Sequence, residues 1–193
     1  MPLATSLDIK KSALVVIDLQ KMILEGERSP HSADDVLSRC QTVADEVRDR
    51  GGLVVLVHVS FSKDFRDRLQ PLTEEKASAG TPPDGYDQIA PSLRPNDPGT
   101  LIVPKRQWGA FYGTDLELQL RRRGVETVIL GGISTNFGVE STAREAWERG
   151  FQVIFMEDAT TASTAEAHRF AYSTIFPRLG LITSTAEVLN AFQ

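Results

Sequence analysis

At 193 residues with 41% hydrophobic content, the chain is long enough for one domain that buries roughly 70% of its unfolded surface, without disulfides or metals to staple it. A formal net charge of −5 and a pI near 5.3 argue against a nucleic-acid partner. A lone cysteine, Cys40, excludes an intrachain disulfide framework, and Met1 to Lys11 lack an apolar signal region. No apolar run approaches the ~18 residues of a membrane span, so a cytoplasmic protein is expected.

Taken in order, short apolar runs alternate with helical patterns. The runs are Ala13–Ile17, Leu53–Val59, Thr100–Val103, Thr127–Leu130, Gln152–Met156 and Gly180–Thr183. Rich in Val, Ile and Leu and mostly free of polar alternation, they suit strands buried on both faces of a parallel sheet. After the first run, Val36, Cys40, Val43, Ala44 and Val47 recur three and four apart, the stripe of an amphipathic helix with Cys40 in its core face.

Residues 61–99 break the pattern. They hold Pro71, Pro82, Pro83, Pro91, Pro95 and Pro98 and show little periodicity, which predicts an irregular loop. A lid over a sheet edge and an oligomer contact are both open to it, and no domain boundary is evident within it. Beyond it, Thr114-Asp115-Leu116-Glu117 reads as a capping box, with Gly124 ending that helix. The Arg121-Arg122-Arg123 triplet near its end complements the helix dipole; a phosphate site is the competing reading. Val139, Ala143, Ala146 and Trp147 line one face of the next helix, with Trp147 in core or interface and a ligand contact the competing reading. Ser163-Thr164-Ala165-Glu166 and Ser184-Thr185-Ala186-Glu187 repeat the capping signal before the final two helices. The order is βαβ repeated, hence one α/β domain over residues 1–193 built on a doubly wound parallel sheet.

In such sheets ligands bind beyond the carboxyl ends of the strands, and three features fall there. Asp18 follows Leu14-Val15-Val16-Ile17; burial at a strand end raises a carboxyl pKa and suits it to proton transfer, while a turn or capping aspartate is the plain alternative. Lys105 stands in the same relation to Leu101-Ile102-Val103-Pro104, as a partner for Asp18 or as a solvated charge. Gly131-Gly132-Ile133-Ser134-Thr135-Asn136-Phe137-Gly138-Val139 carries a strand into a helix. Its N–H groups suit an oxyanion, and a simple turn capped by Asn136 explains the same residues. No G-x-S-x-G, Walker A or G-x-G-x-x-G motif is present, and His31, His58 and His168 fall on separate elements without zinc-ligand spacing. His58, late in its strand, is either near the site or a satisfied core histidine.

These stretches, in this order, resemble the isochorismatase-like hydrolase superfamily, which includes isochorismatases, nicotinamidases and carbamoyl-amide hydrolases. The likeness runs through Ala13–Gln20, Lys105–Arg123, Gly131–Trp147 and Glu157–Ala162, with Lys105-Arg106-Gln107-Trp108-Gly109-Ala110-Phe111-Tyr112-Gly113-Thr114-Asp115-Leu116 similar to the family's lysine segment. The resemblance implies a six-stranded parallel sheet with helices on both faces, Asp18 as acid/base, Lys105 as its charged partner, a cis peptide at Ile133–Ser134, and a dimer or larger homo-oligomer.

Departures from the family pattern shape the functional expectation. Amide-hydrolysing members carry a nucleophilic cysteine where this chain has Gly138. Phenazine- and siderophore-pathway isochorismatases resemble it in having glycine, which implies acid-catalysed attack of water on a vinyl ether without a covalent adduct. Those enzymes have tyrosine in place of Ser134. The Asp and two His that hold the nicotinamidase metal have no counterparts, so no cofactor or metal is expected. The resulting expectation is a hydrolase of a small anionic or carbonyl-bearing molecule. Asp18, Lys105 and Gly138 carry the chemistry, backbone N–H groups near Ser134 and Gly138 hold developing charge, and Trp108, Phe111 and Tyr112 wall the pocket, with a subunit interface the equal alternative for one or more of the three. A binding or scaffold homologue without catalysis, and an amidase using Ser134, Thr135 or Ser141, are the alternatives; for the last, no histidine base is expected beside those hydroxyls.

Overall fold

A computed structural model describes residues 6–75 and 80–192. Its centre is a sheet of six strands, all parallel, in the spatial order β3-β2-β1-β4-β5-β6. In chain order the elements are β1 (Ser12–Ile17), α1 (Lys21–Leu24), α2 (Ala33–Asp49), β2 (Leu53–Val59), β3 (Thr100–Lys105), α3 (Leu116–Arg122), β4 (Thr127–Ile133), α4 (Glu140–Glu148), β5 (Gln152–Thr161), α5 (Ala165–Phe170), β6 (Leu181–Thr183) and α6 (Thr185–Ala191). Among the described residues no helix is long and apolar enough to cross a membrane.

Each central strand is buried on both sides because alternate residues serve two cores. Leu14, Val16, Val54 and Leu56 meet Val36, Cys40, Val43 and Val47 of α2 and Val188 of α6. Ala13, Val15, Ile17 and Val55 face the other way, onto Leu116 and Leu120 of α3, Ala143 and Ala146 of α4, and Phe176. Apolar runs without alternation follow directly from this sandwiching. The three-layer architecture expected from the sequence is the one observed.

Several local expectations are corrected. β5 extends to Thr161 rather than stopping near Met156, across a register shift in its pairing with β4 between Leu130 and Gly132. No capping box forms at α3: Asp115 holds the cap position without a side-chain bond, while the Thr114 hydroxyl accepts from the Leu116 N–H at 3.2 Å and donates to the Ala110 carbonyl. Thr164, not Ser163, caps α5 by accepting from the Ala167 N–H. Ser184 and Glu187 do form a reciprocal capping box. Trp147 is 54% exposed, so α4 turns Thr142, Ala143 and Ala146 inward and leaves the indole at the surface. At the end of α3, Arg121 lies 4.0 Å from the Phe151 ring centroid and pairs with Glu117, a structural role.

The segment between β2 and β3 is irregular but pinned. Gln20, fully buried after β1, accepts from the Val59 N–H at 2.7 Å and donates to the carbonyls of Val59 and Tyr86 at 3.0 and 3.2 Å. Phe61, Phe65 and Tyr86 cluster their rings around the same point. Further along, the Leu93 side chain is buried and its carbonyl accepts from Arg48 of α2.

Candidate active site

The strand order reverses direction between β1 and β4, which opens a crevice at their carboxyl ends. Asp18 stands there, one residue past β1, with φ 55°. This left-handed conformation is costly for a residue with a side chain and persists only where surroundings impose it. Here the Asp18 N–H donates to the Val57 carbonyl at 2.9 Å, and its own carbonyl accepts from the Gln20 N–H at 2.8 Å.

Lys105 ends β3 and reaches across the end of β2. Its ammonium, buried with Asp18, donates to Asp18 Oδ2 at 2.8 Å and to the Trp108 carbonyl at 2.6 Å. Asp18 Oδ1 is also buried but has no hydrogen-bond partner among the described residues. Burial pushes the Asp18 carboxyl up from its usual 3.8 to about 6, and the nearby Lys105 charge and hydrogen bond hold it from rising further, with a smaller contribution from His58.

From the other side comes the turn after β4. Gly132, at φ 114°, lies so close to β1 that a Cβ on it would come within 2.1 Å of the Ile17 carbonyl oxygen; glycine is what lets the two strand ends approach. The Ile133–Ser134 peptide is cis. Thr135–Val139 then form one wide turn, in which the Phe137 and Val139 N–H groups both donate to the Ser134 carbonyl. Those two donors are therefore used within the turn. Ser134 holds the cap position rather than Asn136, whose buried Oδ1 has no partner among the described residues.

Gly138 closes the site. A Cβ built on it would lie 3.1 Å from Asp18 Oδ2 and 3.2 Å from Lys105 Nζ. The glycine therefore abuts both members of the ion pair, and with Ile17 Cγ2 at 2.8 Å from the same point no side chain fits there unless a neighbour moves. Cys40 is elsewhere, on α2, with its thiol donating to the Ala159 carbonyl at 3.7 Å and burial pushing it up to about 12.

The aromatic residues divide. Trp108 stays near the pair through its carbonyl, and its exposed ring packs on Phe137 with centroids 4.9 Å apart. Phe111 is not a pocket wall: it is buried in the α3/α4 core against Phe151, with the Arg149 guanidinium above it. Tyr112 is 72% exposed and points into solvent. Phe137, beside Gly138, carries no sequence signal of its role, because one apolar residue in a turn has no periodicity to mark it.

A histidine does stand beside one of the turn hydroxyls, contrary to expectation. Thr135 Oγ1 and His168 Nδ1 are 2.9 Å apart, both buried, and His168 Nε2 has no partner among the described residues. Desolvation, with a smaller effect of His31, lowers His168 from 6.5 to about 4. The His31 and His168 rings meet edge to face at 5.9 Å although their elements are distant in the chain. His58 Nδ1 lies 2.9 Å from the Asp87 carbonyl oxygen, a satisfied histidine at the rim of the site. Among the described residues no cluster of His, Cys, Asp and Glu is arranged to hold a metal ion.

A family model for the isochorismatase domain matches residues 12–187. The chain is 48% identical over 185 residues to the isochorismatase family protein YecD of Escherichia coli O157:H7, covering 96% of this chain and 98% of that one. It is 44% identical over 187 residues to the isochorismatase family protein YwoC of Bacillus subtilis (strain 168), covering 96% of each. An isochorismatase family protein from Burkholderia thailandensis has a solved structure that matches with a TM-score of 0.92 and 40% identity, over 97% of both chains.

Proposed function

The chain belongs to the isochorismatase family of hydrolases, and from that premise we propose that it hydrolyses a small vinyl ether such as isochorismate by direct attack of water, with no covalent enzyme intermediate. The observation that carries this reading is the contact set of Gly138. A Cβ there would meet Ile17 Cγ2 at 2.8 Å, Asp18 Oδ2 at 3.1 Å and Lys105 Nζ at 3.2 Å, so the turn packs directly against the ion pair and presents it with no nucleophilic side chain.

The chemistry begins with Asp18 in its acid form, which a carboxyl raised to about 6 still populates at roughly a tenth of molecules at pH 7. Its O–H proton goes to the terminal carbon of the C=C bond, and the ether carbon becomes an oxocarbenium centre. Water adds there and gives a proton back to Asp18. The hemiketal then breaks at the alcohol C–O bond as its hydroxyl proton passes to the departing oxygen, releasing a ketone and an alcohol. Lys105, 2.8 Å from Asp18 Oδ2, stabilises the carboxylate during the interval in which it is charged. Trp108 and Phe137 supply apolar surface at the mouth, and Ser134 borders the substrate.

A hydroxyl-dependent amidase gains one supporting observation, the Thr135–His168 contact, yet Thr135 is fully buried and its oxygen is engaged by the imidazole. The deciding experiment is release of pyruvate from isochorismate by purified protein, run beside Asp18→Asn and followed by intact-mass analysis. Turnover that depends on Asp18 and leaves no adduct supports water attack. An acyl adduct with amide substrates supports the hydroxyl nucleophile, and tight binding without turnover supports a binding protein.

A further inference from the structure

Asp18, Lys105 and Gly138 arrive from three different strand ends, so their separation depends on whatever ties those ends together. Part of that tie is α4, which starts directly after the Gly138 turn. On its buried face, Thr142 Oγ1 donates to the Gly138 carbonyl at 2.7 Å and accepts from the Ala110 N–H at 3.2 Å; the threonine is fully buried. Three residues on, along the same face, Glu145 Oε2 accepts from the Phe111 N–H at 3.1 Å. The Glu145 carboxylate also occupies the space that a side chain at Gly109 would need.

These amides belong to the segment that follows Trp108, whose carbonyl receives the Lys105 ammonium at 2.6 Å. The contacts form a circuit: Asp18 to Lys105, Lys105 to Trp108, the adjoining Ala110 to Thr142, Thr142 to Gly138, and Gly138 back against Asp18. Within it, one hydroxyl joins the glycine turn to the lysine segment. We propose that Thr142 is a positioning residue that sets the gap between Gly138 and the Asp18–Lys105 pair by holding the Gly138 carbonyl and the Ala110 amide together.

Its catalytic consequence rests on the reading of Asp18 as proton carrier. The mechanical part does not. Removing the hydroxyl leaves the buried Ala110 N–H without its acceptor, a loss the segment relieves only by moving. The Trp108 carbonyl and the ammonium it holds move with it. Two groups oppose the desolvation of Asp18, Lys105 from β3 and His58 from β2, so loosening Lys105 lets the carboxyl rise further.

The test needs no substrate for its first half. Asp18 is titrated by carboxyl-carbon NMR in the wild type, Thr142→Val and Thr142→Ser. The valine variant is expected to move the midpoint up by roughly half a unit or more, and the serine variant to restore it. With isochorismate as probe, kcat for the valine variant is expected to fall roughly tenfold or more at nearly constant KM, with recovery in the serine variant. Should the valine variant not fold, Thr142→Cys, a weak hydrogen-bonding group of similar volume, carries the same expectation. An Asp18 titration unchanged in the valine or cysteine variant overturns the proposal. If Asp18→Asn keeps full turnover, the proton-carrier reading fails separately, and the titration still judges Thr142.

Discussion

Lys105 Nζ binds Asp18 Oδ2 at 2.8 Å while Asp18 Oδ1, equally buried, has no partner among the described residues. The carboxyl is thus held by one oxygen and free to carry a proton on the other. Its raised value of about 6 fits a group that must be acid in one step and base in the next.

Turnover that begins with Asp18 in its acid form should fall as pH rises above about 6, and Asp18→Asn should reduce it at least ~100-fold. The stability effect has a definite sign. Because the folded value lies above 3.8, the native state holds its proton more tightly, so this contribution is full below 3.8 and is lost as pH rises through about 6. Urea denaturation at several pH values should show that slope in the wild type and its absence in Asp18→Asn.

His168 should act in the opposite direction. Its folded value of about 4 lies below 6.5, so stability is full above 6.5 and is lost as pH falls toward 4. His168→Gln should flatten the acid limb of the same denaturation series. An acid limb unchanged in the variant would show that His168 is not its source.

Gly138→Ala tests the close packing of the glycine turn against the ion pair. The new Cβ would come 2.8 Å from Ile17 Cγ2, as well as against Asp18 and Lys105, so a neighbour must shift. A loss of roughly 1–3 kcal/mol in stability is expected from overpacking, and turnover should drop at least ~10-fold as the ion pair is displaced. Wild-type activity in this variant would refute a tight Gly138 requirement.

Cys40 should be silent. Buried on α2 with its thiol pushed up to about 12, it has almost no thiolate at neutral pH. Thiol reagents should label it only after denaturation, and Cys40→Ser should keep native activity. Rapid inactivation by iodoacetamide under native conditions would contradict the water-attack reading.

Gln20→Ala should free the segment between β2 and β3. The amide makes three hydrogen bonds to the Val59 and Tyr86 backbone in the interior. Removing it should cost roughly 2–4 kcal/mol, and hydrogen exchange around Tyr86 should accelerate relative to the central strands.

Local pattern made much of this legible. Unbroken Val, Ile and Leu runs announce strands covered on both faces, the Cys40 stripe announces the inner face of α2, and Asp18 and Lys105 are visible as charges ending apolar strands. The Ser184 box is a local hydrogen-bond exchange and so was readable as well. Gln20 and Thr142 were harder. A buried glutamine or threonine looks like any polar residue until the backbone groups it satisfies are in place.

By itself, the sequence determined the class of layered α/β fold, the alternation of its elements, and the absence of a cysteine at the Gly138 turn. Tertiary structure alone decided that Lys105 passes over β2 to reach Asp18, that the Gly138 Cβ direction points at both, that His168 finds Thr135, and that Phe111 is core while Trp147 is surface. The reason is geometric. Periodicity encodes which face of an element is buried, but the distance between side chains on separate strands is set by strand order and register, which no local pattern contains.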